Sequence, residues 1–172
     1  VVEQDGAPNE FNIPVSTLHG NIYYHLGLAY YLKQDFENAK RVYDLDHSVA
    51  RNDDNRVSIA HWRYMIRRRM GDSHDDAKHV LDEINEDMKI LENHTYHKLA
   101  LFYKGEMTEA EISEGIDMED SADAATAYGL ANWYFYNGGE DKAKDMMTKM
   151  LNARAWGSFG YIAAEADLAA MQ

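Results

Sequence analysis

Residues 23–43 read YYHLGLAYYLKQDFENAKRVY. Two aromatic pairs flank a Leu-Gly, and a polar KQD separates this run from an alanine at 39 and a tyrosine at 43. Leu26, Ala29 and Tyr30 recur at the spacing of one helical face. The large residues suit packing on a partner helix, and Gly27 suits a close helix crossing. Ala39 then allows close approach near the start of a second helix. The stretch therefore reads as helix, turn, helix.

A second stretch has the same grammar. Residues 127–147 read AYGLANWYFYNGGEDKAKDMM, where Leu130, Tyr134 and Ala143 each stand 104 positions after Leu26, Tyr30 and Ala39. Ala131 follows Gly27 at the same interval. An interval of 104 is close to three times 34, and two degenerate repeats fill the gap, closing at Gly71 with Ala77 and at Gly105 with Ala110. The alanines at 39, 77, 110 and 143 are spaced by 38, 33 and 33. Repeats of this length stack into arrays in which each repeat buries its neighbour's apolar face. Capping signals agree: Thr108 with Glu111 forms a capping-box pattern, and Asp35 and Ser73 are N-cap residues. The expected helices are 17–33, 36–50, 56–70, 74–91, 94–104, 108–117, 121–137, 140–153 and 157–171, with MEDSADA at 118–124 as a linker. Residues 1–16 form an irregular segment that holds both prolines, Pro8 and Pro14.

On these motifs the chain resembles tetratricopeptide-repeat proteins across roughly residues 17–171. The resemblance implies a single all-α domain, 17–172. It is a right-handed α-solenoid of antiparallel helix pairs with repeats near 20–53, 56–91, 94–120 and 124–156 and a capping helix at 157–171. The order AHWRYMIRRRMGDSHDDAKHVL, ALFYKGEMTEAEI, AYGLANWYFYNGGEDKAKDMM further resembles NlpI-like bacterial envelope lipoproteins. That likeness implies an exported, periplasmic scaffold that docks envelope enzymes, with a homodimer among its implied states. Arg63 or Tyr64 in the second repeat and His97 in the third replace the usual Leu, a departure from the pattern.

Composition narrows the function. The net charge is −13 and the pI about 4.9, which opposes phosphate backbones and anionic lipid surfaces. No apolar run is long enough to span a membrane. The absence of cysteine removes disulfides, thiolate metal sites and cysteine nucleophiles. The start VVEQDGAPNE, without Met, reads as a processed or trimmed product.

By resemblance, the groove of such an array is lined by the first helix of each repeat. This places Asn21, Tyr24, His25, Leu28 and Tyr31 there in the first repeat, and Tyr128, Asn132, Phe135 and Tyr136 in the last. Aromatic side chains give contact area at small entropic cost, and Asn can bond a peptide backbone. Arg67 and Arg68, in the only concentrated basic run, could hold a partner carboxylate in fork geometry, or pair with Asp72, Asp75 and Asp76. The family's carboxylate clamp is not expected, because Tyr24 and Leu28 stand at two of its positions. His74 with His79, or His94 and His97 with Glu92, lack a convincing further ligand, so no metal or other cofactor is expected. The acidic runs at 44–46, 52–55 and 117–120 read as solvated faces and helix N-termini, and no G-x-S-x-G, G-x-G-x-x-G or P-loop occurs. The expectation is a non-enzymatic scaffold for a protein or peptide partner. A cytoplasmic regulator or co-chaperone is the alternative, and a helical metal-binding or enzymatic domain the less favoured one.

Overall fold

The computed structural model describes residues 16–117 and 120–171. The expected irregular segment at 1–16 and the first two residues of the expected linker fall almost wholly outside that range. Among the described residues there are nine α-helices and no strand: α1 (Leu18–Leu32), α2 (Phe36–Val49), α3 (Asp53–Arg69), α4 (His74–Ala77), α5 (His94–Lys104), α6 (Glu109–Ser113), α7 (Ser121–Tyr136), α8 (Glu140–Leu151) and α9 (Phe159–Ala170). The chain is all-α. It divides into two compact units, residues 1–97 and 98–172, with the first turn of α5 in the former and the rest of that helix in the latter.

In the first unit α1 and α2 form a hairpin joined by three residues. A methyl group on Gly27 would come within 2.6 Å of the Tyr43 ring, so the close crossing expected at Gly27 is real. Thr17, Asp35 and Asn52 cap α1, α2 and α3, each accepting a backbone N–H of its helix. Asn52 acts as N-cap, so α3 begins at Asp53, three residues before the expected start. The helix packs its long apolar face into the unit, where Val57, Trp62, Tyr64, Met65 and Ile66 are all buried.

The expected helix 74–91 is a correction. Only α4 and a 3₁₀ turn, Lys78–Leu81, are helical there. Beyond it the backbone donors go elsewhere. Asn85 Oδ1 accepts the Asp87 N–H at 3.1 Å, and Asp53 accepts that of Lys89 at 2.9 Å. Asp54, buried at the start of α3, accepts the N–H groups of Leu91, Glu92 and Asn93 at 3.0, 2.8 and 2.8 Å. A charged acceptor that takes three amides competes successfully with helical pairing.

In the second unit α7 and α8 form the later hairpin, and α9 packs on both. Thr108 and Glu111 form the expected capping box at α6. That helix ends at Ser113, short of the expected 117, and Gly115 takes a positive φ of 74°. α7 begins at Ser121, so the expected linker is already helical from there. Residues in left-handed backbone follow α1, α3, α5 and α7 at Gln34, Gly71, Gly105 and Gly138. A left-handed residue just past a helix end satisfies its last carbonyls. The four positions repeat at intervals close to the alanine spacing, so the turns carry the same period as the helices.

A candidate interaction face

The proposed groove residues divide by burial. Leu28 and Tyr31 are in the interior of the first unit, and Tyr128 and Asn132 in that of the second. None of the four has surface to offer a partner, which corrects their expected role. On α1 that face meets α3: the Tyr31 and Trp62 ring centroids are 5.1 Å apart. Tyr24, half-buried, accepts a hydrogen bond from Trp62 Nε1 at 2.8 Å and donates one to Tyr96 Oη at 3.3 Å. On α7 the corresponding face meets α9. The Tyr128 hydroxyl donates to Asp167 Oδ2 at 2.8 Å, and Asn132 Nδ2 lies 3.4 Å from the same hydroxyl. A methyl on Gly160 would sit 2.4 Å from the Ala124 carbonyl oxygen, so α9 lies directly against α7. The capping helix thus occupies the face assigned to a ligand. Phe135 and Tyr136 are half-buried; Asn21 and His25 are exposed on α1.

The arginines of α3 serve the fold. Arg67 pairs with Asp72 at 3.1 Å, and Arg63 with Asp44 at 2.9 Å. Arg69 donates to Gln34 Oε1 at 3.0 Å and lies over the Phe36 ring. Arg68 is half-buried, close enough to Tyr64 to act on its hydroxyl electrostatically. The pairing of Arg67 is the internal alternative raised by the sequence.

The acidic runs are less solvated than expected. Asp54 is buried and fully engaged, as described above. Asp46 is also buried, and its Oδ2 has no hydrogen-bond partner; the buried Tyr43 hydroxyl one turn away lacks one as well. Burial raises the Asp46 carboxyl to about 7, since an unpaired charge loses its hydration there. His61 is the opposite case. It is enclosed between Trp62 and Tyr96, and burial lowers its imidazole to about 3, so the ring stays neutral. Among the described residues no group of three or more His, Asp or Glu side chains is placed to hold a metal ion. No described helix is long and apolar enough to cross a membrane.

What the sequence reading missed is on the other side of α1. Leu18, Ile22 and Leu26 are 41, 52 and 41% exposed. Their spacing of four places them in one row along the helix, and the exposed Asn21 and His25 border it. No Asp, Glu, Lys or Arg occurs between residues 18 and 32. Leu45 of α2 is also exposed, at 46%. Asp44 of α2 reaches toward α3 through Arg63, and Arg41 of α2 donates to Asn38 Oδ1. The overlooked signal was the even apolarity of α1, since a helix apolar all round is one that is covered all round.

Compared with known proteins, the chain matches no family model, no curated protein and no solved structure.

Proposed function

We propose that this chain is a non-enzymatic protein-interaction scaffold of the tetratricopeptide type. The observation that carries the reading is the uncharged apolar row Leu18, Ile22, Leu26 on α1. It is solvent-exposed in a chain of net charge −13. Contiguous exposed apolar surface marks an interaction site, and a row at i, i+4, i+8 takes a helix laid along it. The recurring hairpins and left-handed turns support the repeat architecture, and a repeat array in turn supports a role in docking partners. The envelope-adaptor form of the proposal rests on the resemblance of the three quoted stretches. The contact surface proposed differs from the groove expected first, and retains Asn21 and His25 at its edge.

The test is immobilised wild-type chain and Ile22→Glu, each exposed to the same lysate, with circular dichroism confirming that both are folded. Proteins retained by the wild type and lost by the variant support the reading. Equal retention by both removes α1 from it.

A further inference from the structure

Residues 74–91 carry the local signals of one continuous helix. Ala77, Leu81, Ile84, Met88 and Leu91 recur at spacings of 4, 3, 4 and 3, which is one helical face. Ser73 caps the start by accepting the Asp76 N–H. The charged residues between 75 and 89 are all exposed, and Lys78 pairs with Asp75 at 3.0 Å. Neither glycine nor proline interrupts the run.

The structure departs from that helix by little. Ala77, Leu81 and Ile84 are fully buried, and Met88 and Leu91 are half-buried, so the apolar face is the same. α4 passes into the 3₁₀ turn Lys78–Leu81. Beyond it the chain still makes single turns. The N–H groups of Asp82, Ile84 and Met88 donate to the carbonyls of His79, Leu81 and Asn85 at 3.3, 2.9 and 3.4 Å, each three residues back. A 3₁₀ stretch inside a helical sequence marks a hinge or strain. Side chains hold the rest off the helix: Asn85 takes the Asp87 amide, Asp53 that of Lys89, and Asp54 those of Leu91, Glu92 and Asn93.

We infer that residues 82–91 are a two-state segment with the Asp54 carboxylate as its latch. While Asp54 holds the three amides the segment is irregular; when it releases them the segment joins α4 as one helix. Three observations carry this. First, the helical form leaves Ala77, Leu81 and Ile84 in place and extends their row through Met88 and Leu91. Second, the connections fit. A helix over 74–91 spans about 27 Å, and residues 70–73 and 92–93 join it to α3 and α5, lengths usual between packed helices. Third, the latch is concentrated. Three amides share one carboxylate, and bonds to a charged acceptor outweigh the neutral ones of a helix. Conflict between local and tertiary preference brings two packings of one chain close in energy. A ligand that engages Asp54 shifts the segment toward the helix by as much as it prefers that form.

The experiment is NMR of the full chain, reading Cα shifts and amide exchange at residues 82–90. The wild type should show non-helical shifts there. Asp54→Asn removes the charge at nearly constant size. It should move the shifts toward helical values and slow exchange at 85–90 by about tenfold, because amides of a closed helical ladder exchange only on opening. A second pair of variants leaves buried Asp54 alone. Asn85→Ala and Asn85→Gly both delete the side chain that takes the Asp87 amide, but alanine favours a helix and glycine opposes it. Helical shifts with Asn85→Ala and none with Asn85→Gly are expected, and Asn85→Gly should cancel the gain made by Asp54→Asn. Equal behaviour of the alanine and glycine variants overturns the inference. So does faster exchange without helical shifts at 82–90 when Asp54 is replaced. Should Asp54→Asn fail to fold, the contrast at Asn85 decides.

Discussion

Asp46→Asn should stabilise this protein above about pH 5, by an amount that grows toward neutral pH and then levels off. The Asp46 carboxyl is buried with an unpartnered oxygen, and its ionisation is raised from 3.8 to about 7. A raised carboxyl binds its proton more tightly in the folded chain than in the unfolded one. Its folded-state burden is therefore absent below about pH 4, grows between 4 and 7, and is complete above 7. A difference of about three units corresponds to about 4 kcal/mol at the plateau. Asparagine keeps the shape and removes the charge while leaving an amide to be buried, so a gain of about 2–3 kcal/mol at pH 8 is expected. Urea unfolding followed by tryptophan fluorescence at pH 4, 5, 6, 7 and 8 measures it, because Trp62 packs in the same unit. The variant should unfold at slightly lower urea than wild type at pH 4, where little but the amide cost remains, match it near about pH 5, and lead it increasingly as pH rises. A variant equal to or weaker than wild type at pH 8, or a gap that does not change with pH, would refute the argument that an unpaired charge is buried there.

Three further outcomes follow from the geometry. Asp54→Ala should cost about 3–5 kcal/mol by removing the shared acceptor of the Leu91, Glu92 and Asn93 amides. Hydrogen exchange should show protection at residues 91–93 falling while α7 and α8 are unchanged. His61 acts with the opposite sign to Asp46. Its folded value near 3 is below the unfolded 6.5, so its contribution is full above about pH 6.5 and is lost as pH falls toward 3, and His61→Phe should flatten that part of the acid-unfolding curve. Tyr128→Phe leaves Asp167 without its hydroxyl donor and should lower stability by about 1–3 kcal/mol, read as an earlier thermal transition.

Much of the helical framework was legible in residue order. The Gly27 and Ala39 spacing, the caps at Asp35, Ser73 and Thr108, and the turn glycines at 71, 105 and 138 are local devices. Each acts within a few residues, so each shows in the chain itself. The helix expected through 91 failed because its competitor is remote: Asp54 is 37 residues before the first of the three amides it binds. No proline or glycine between 82 and 93 announces the break.

The site was less legible, for a related reason. Helical periodicity says which residues share a face but not what lies against that face. Tyr128 and Asn132 were correctly placed on one side of α7, yet only the packed structure shows α9 covering it, with Asp167 supplying the hydrogen-bond partner from another helix. Likewise, Leu26 and Leu130 hold the same position in equivalent repeats, and one is exposed while the other is buried. What the residue order determined by itself was helix content, repeat period and turn positions, because backbone hydrogen bonding and capping are short-range. Which faces are buried, which carboxylates leave water, and which apolar row remains for a partner were decided only by tertiary packing, because burial depends on residues distant in the chain.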